Sequence, residues 1–134
     1  MRNYKVERIK DNEKKPTRYY SSRQEKNVAN KFDGVRTSNS GATPFDKSDV
    51  KLANFLIECK TKTKDSEQIS IKKEWLDKLK SESCFMGKDY SALVFNFGPS
   101  NNYNYVIIDE FLFKLLVDKI DEIRDRYDDA GNVI

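Results

Sequence analysis

The stretch DVKLANFLIECK, residues 49 to 60, constrains this chain more than any other, because two short apolar runs flank a natural two-residue turn at Ala53-Asn54. With that turn, residues whose numbers sum to 107 face each other, so Asp49 is expected opposite Glu58. Directly opposed residues of an antiparallel pair have Cβ atoms roughly 5 Å apart. Alternate residues of a strand share a face, so Lys60 joins Glu58 there. Like charges opposed across a ladder repel. The arrangement therefore makes most physical sense if a divalent cation normally sits between the two acids, with the lysine beside a phosphate.

The chain has 134 residues, enough for one domain that buries roughly two-thirds of its unfolded surface without staples. Only Cys59 and Cys84 occur, with neither metal-ligand spacing nor a disulfide framework, and no secretory or membrane-spanning segment is visible. A reducing cytoplasm and no membrane partner are the expectation. Histidine is absent, which removes imidazole-dependent triads and histidine-based zinc sites. Hydrolytic chemistry is left to carboxylates, lysine and metal. Residues 1 to 40 carry eleven Lys/Arg against five Asp/Glu, a balance of +6, while residues 41 to 134 carry fourteen against seventeen, a balance of −3. That asymmetry suits a polyanion approached from one side, although basic tails are commonly just solvated.

Along the chain, residues 1 to 18 lack periodicity and read as a basic, mobile arm or a short edge strand, leaving residues 19 to 134 as one domain. SRQE from Ser22 reads as a capping box opening a first helix, with Glu25, Val28, Ala29 and Phe32 at helical spacing and Gly34 closing it. Val35-Arg36 begins a short strand. TSNSGATPFDKS is a loop of turn formers long enough to carry function, and the hairpin follows. Ile71, Trp75, Leu76 and Leu79 place an apolar stripe on a second helix covering one sheet face. SALVFNF and YNYVII read as strands joined by GPSNN, and Asp109 is placed to cap a long amphipathic helix from Phe111 to Ile123. The expected order is α-β-β-β-α-β-β-α.

Each chemical candidate has a bland counterpart. Glu25 lies on the stripe of the first helix, where it either joins the acids or satisfies itself on the Ser22 backbone as a capping-box residue. Asp49, Glu58 and Lys60 are either a site or a salt-bridged surface hairpin; the apolar Phe55-Leu56-Ile57 that delivers Glu58 to a strand end favours the site. Cys59 alternates to the other face and reads as a small buried apolar residue without redox chemistry. Lys62 and Lys64 either meet a phosphate backbone or are solvated. Ser38 and Ser40 either offer hydroxyls or are turn formers. Tyr19 and Tyr20 beside Arg18 and Arg23 show no regular aromatic-basic interleaving.

A glutamate on the first helix, then VRTSNSG, an aspartate, IECK and ISIKKEWLDKL resemble, over roughly residues 20 to 108, the archaeal-type Holliday junction resolvases of the PD-(D/E)xK nuclease superfamily, viral or phage members included. Ser48 stands where the superfamily motif has proline, and the segment between Asp49 and Glu58 is short. The resemblance implies an α/β, restriction-endonuclease-like core: a mixed central sheet of about five strands flanked by helices. It implies Glu25, Asp49, Glu58 and Lys60 as catalytic residues and Asp49, Glu58 and the Cys59 carbonyl as ligands of Mg²⁺, for which Mn²⁺ substitutes. Arg23, Arg36, Ser38, Ser40, Lys62 and Lys64 become DNA contacts. The implied protein is a homodimeric endonuclease of DNA recombination and repair that cuts four-way junctions, working in the cytoplasm, or the host's if viral. A nuclease of other branched, nicked or duplex DNA, or a non-catalytic module with this fold, are the alternatives.

Overall fold

The hairpin sets the frame of the molecule. In a computed structural model that describes residues 17–37, 49–100 and 103–126, Leu52 N donates to Phe55 O at 2.9 Å across Ala53-Asn54. Val50 faces Ile57 and Lys51 faces Leu56, the register expected from the turn. The elements are α1 (Thr17–Lys31), β1 (Val35–Arg36), β2 (Val50–Lys51), β3 (Phe55–Lys60), α2 (Lys73–Phe85), β4 (Tyr90–Phe95), β5 (Tyr105–Ile107) and α3 (Glu110–Asp125). Among the described residues the order is the one read from the sequence. The strands form a single sheet in the order β1-β2-β3-β4-β5, antiparallel except for the parallel pair β3 and β4. That pair needs a crossover, which α2 supplies. The fold is α/β, with a mixed five-stranded sheet flanked by helices.

Strand alternation sorts the core into two layers. Ile57 and Cys59 of β3 and Ala92 and Val94 of β4 turn toward Val28 and Ala29 of α1, with Val50 completing the layer. Leu56 and Leu93 turn the other way, onto Leu79, with Ile71, Trp75 and Leu76 packed around them. Leu56, Leu93, Val50 and Val94 are essentially sealed from solvent. Each contributes about 1.5–3 kcal/mol by burial. Asp109 caps α3 as expected, its Oδ1 accepting from Leu112 N at 2.8 Å.

The amino-terminal helix differs from its sequence reading. It begins at Thr17, so residues 17 and 18 belong to the helix and Ser22 lies inside it. Phe32, expected on the buried stripe, is exposed, and Gln24 is buried instead. The left-handed residue that ends the helix is Asp33, with φ 53°, and not Gly34. Gly34 serves by lacking a side chain: a Cβ there would stand 2.5 Å from Leu52 Cδ2, 2.8 Å from Val50 Cγ1 and 3.1 Å from the Lys51 carbonyl.

Helix α3 is amphipathic but, among the described residues, largely unpartnered. Leu112 is its buried residue, while Phe111, Phe113, Leu115, Leu116, Ile120 and Ile123 are exposed. Among the described residues no helix is long and apolar enough to cross a membrane. Residues 1 to 16, Ser38 and Ser40 lie outside the described residues. Gly34→Ala is expected to force β1 and helix α1 away from the hairpin and destabilise the fold by about 1–3 kcal/mol in urea unfolding.

Candidate active site

Strand β2 is two residues long and β3 is six, so the carboxyl end of β3 runs past its neighbour. Backbone groups on that edge need partners. The Asp49 amide donates to the Ile57 carbonyl at 3.1 Å, and the Asp49 carboxylate accepts from the Cys59 amide at 2.7 Å. Asp49 therefore lies just beyond the paired register, not squarely opposite Glu58: its side chain takes the place of the missing ladder partner. This holds the carboxylate near the plane of the sheet, 7% exposed. Because Ile57 and Cys59 are two apart, the Cys59 carbonyl faces the same edge.

Two further carboxylates approach from opposite layers. Glu25, from α1, lies within hydrogen-bonding reach of the Asp49 carboxyl and also accepts from Arg36 Nη2 at 3.0 Å. The same guanidinium donates to Ser22 Oγ at 2.9 Å. Glu25 thus does not close a capping box. Glu58 alternates to the α2 face, where it shares a small pocket with Lys60, Trp75, Lys78, Leu79 and Glu82, and it is close enough to repel Asp49. Lys60 Nζ lies 3.5 Å from Glu58 Oε1 and 4.3 Å from the centroid of the Trp75 ring. The result is a row at one strand end in which two cations bracket three carboxyl groups: Arg36, Glu25, Asp49, Glu58, Lys60.

Burial, then the charge of Glu58, pushes the Asp49 carboxyl up to about 8, with the Cys59 amide pulling the other way. Burial also raises Glu58, opposed by Lys60. The Cys59 thiol is pushed far up, first by burial and next by Asp49, so it is inert as a nucleophile. Among the described residues no three acidic or thiol side chains already form a metal-holding group, since Glu25 turns to Arg36 and Glu58 to Lys60.

No family model, no curated protein and no solved structure matches the chain.

Hard oxygen donors of this kind, two or three carboxylates and one strand-edge carbonyl, suit Mg²⁺ or Mn²⁺ and not a thiophilic ion. Of the expected DNA contacts, Arg23 donates to the Pro99 carbonyl at 3.0 Å and stacks near Tyr20, and Arg36 is engaged with Glu25 and Ser22. Lys62 donates to Ser66 Oγ at 3.2 Å, and Lys64 is exposed. Arg18, Tyr19, Ser22, Arg23 and Lys26 line an open basic cleft on α1, adjoining the acidic row. Trp75 was legible only as a core residue; the signal for more was a lone tryptophan two residues after a pair of lysines, too weak to act on.

The raised Asp49 carboxyl has a consequence for stability. A proton bound in the fold but not in the unfolded chain stabilises the fold fully below the ordinary value of 3.8, and the gain is lost as pH rises through about 8. Thermal unfolding is expected to shift to lower temperature from pH 6 to pH 9. Asp49→Asn, which keeps an acceptor for Cys59, is expected to flatten that decline in circular-dichroism melts.

Proposed function

We propose that this protein is a divalent-metal-dependent DNA endonuclease that hydrolyses phosphodiester bonds, with four-way junctions as its preferred substrate. The observation that supports the reading is the convergence of Glu25, Asp49 and Glu58, from three elements, on the strand end that also projects Lys60. Asp49, Glu58 and the Cys59 carbonyl would hold the ion, with Glu25 beside them. When bound, Mg²⁺ supplies a more acidic water and neutralises phosphoryl charge. The protein's share is positional. Lys60, on a rigid strand and against Trp75, offers an ammonium to the attacking water or the phosphate as charge builds. Asp49 would have to give up its proton to serve as a ligand, which would link metal uptake to proton release. The basic cleft on α1 gives a duplex phosphate backbone a track beside the acids.

Preference for a branched substrate draws on the resemblance of the motifs, and with it a homodimer. A junction has two symmetric strands, and a two-fold dimer presents two sites to them. Phe113, Leu116, Ile120 and Ile123 of α3 repeat at spacings of three and four and are all exposed, the pattern of a helix seam awaiting another helix. Dimerisation through this seam is part of the proposal.

A second reading has its own support. Glu25 is paired with Arg36 and Glu58 with Lys60, so the row neutralises itself as a non-catalytic relic would. Calorimetric titration with Mn²⁺ separates the two: the nuclease reading expects binding with proton release near pH 7, the relic none. Lys60→Ala is expected to lower the rate of Mg²⁺-dependent cleavage of a four-way junction by at least about 100-fold, with metal binding retained. Equal cutting by Lys60→Ala, or no preference over linear duplex of the same sequence, overturns the assignment or its substrate respectively. Light scattering is expected to give a dimer for the unsubstituted chain and a monomer for Ile120→Glu, with the sheet and the other helices retained.

A further inference from the structure

Helix α1 turns Val28 and Ala29 into the core, and one helical turn before Val28 the same stripe presents Gln24, 3% exposed. A methionine would fill that space with no polar atom to satisfy. The amide instead makes a specific set of bonds. Its Nε2 lies 2.8 Å from the Lys60 carbonyl, 3.5 Å from the Val94 carbonyl and 3.3 Å from Asn104 Oδ1. Three acceptors converge on that nitrogen, which settles the orientation of the amide. Its Oε1 is buried with no hydrogen-bond partner among the described residues. A group that leaves an acceptor unsatisfied is a local violation of the kind that gathers at functional sites.

What the nitrogen holds is the last residue of β3. The Lys60 carbonyl also receives the Asn96 amide at 3.3 Å, Asn96 Nδ2 donates to Asn104 Oδ1 at 3.2 Å, and Thr61 Oγ1 is bonded to Asn96 Oδ1. The network ties α1 to the ends of β3 and β4 and to the segment entering β5. It grips Lys60 from the α1 face, while the ammonium of the same residue is held on the opposite face by Glu58 and the Trp75 ring. The next residue of α1 is Glu25, which meets Asp49. One turn of helix therefore sets both the acidic row and the strand end that projects the ammonium.

We infer that Gln24 is a positioning residue for Lys60: its amide fixes the main chain from which the ammonium reaches between Glu58 and Trp75. The catalytic consequence rests on the nuclease reading above; the positional claim does not.

The test uses the full chain with Gln24→Met, matched in volume and lacking the amide. Trp75 is the only tryptophan, so its emission reports whether a cation still lies over the ring, with Lys60→Met as the reference for a ring without one. The expected result is emission moved toward that of Lys60→Met, and a kcat for Mg²⁺-dependent junction cleavage lowered about 10-fold or more with KM changed less than about twofold. If Gln24→Met does not fold, Gln24→Asn, which keeps an amide too short to reach, takes its place with the same expectations. Unsubstituted emission, or unsubstituted kcat, in the folded variant overturns the inference. Absence of cleavage by the unsubstituted protein overturns the nuclease reading instead, and the emission comparison still decides whether Gln24 sets the place of Lys60.

Discussion

The hydrogen bond from the Cys59 amide to the Asp49 carboxylate is the contact on which the rest of the site depends. It exists because β2 stops early and β3 does not, leaving an edge amide to be satisfied by a side chain. Taken up in that way, the carboxylate sits between the two faces of the sheet and not on either of them. A helix on one face can then bring Glu25 to it, while β3 carries Glu58 toward it from the other. Burial raises the proton affinity of Asp49, so the acids need not all be charged at once. Arg36 and Lys60 bracket the row, each compensating the acid nearest it.

Placement of the row follows from topology. The sheet is antiparallel except where β3 and β4 run side by side, and the row lies beyond their shared carboxyl ends, where Lys60 stands opposite Phe95. Chain leaving such ends diverges and opens a crevice, the usual location of sites in α/β sheets. Trp75, from the crossover helix, roofs one side of it. The same indole fills the lower core layer against Leu56 and Leu93 and faces the ammonium of Lys60, so packing and site share one residue.

Where local chemistry decides, the sequence was readable. The Ala53-Asn54 turn and strict alternation give the register of β2 and β3, and an aspartate before an apolar-periodic run gives the cap of α3. Where two adjacent positions compete, it was not. Glu25 and Gln24 are 100° apart on the helix, and a stripe drawn through Glu25, Val28, Ala29 and Phe32 is nearly as regular as the real one through Gln24 and Val28; only the sheet chooses between them. The start of α1 was hidden because Thr17 to Ser21 carry no apolar periodicity and Ser22 offers a plausible but unused cap. Glu25's partner was hidden too, since Arg36 reaches it only after β1 has paired with β2. Asp49's exact station required knowing that β2 begins only at Val50.

Helix α3 follows a different rule from the other two. Its cap and Leu112 hold the first turn to the body of the molecule, and the turns beyond place most of their apolar atoms in solvent. Sixteen residues form a helix that is marginal without tertiary support. Among the described residues, the backbone amides from Leu115 to Arg124 are thus expected to open more cheaply in a lone chain than those of β3 and β4, and to trade hydrogen for deuterium earlier. Slow exchange along that segment would itself be the signature of another surface laid against it.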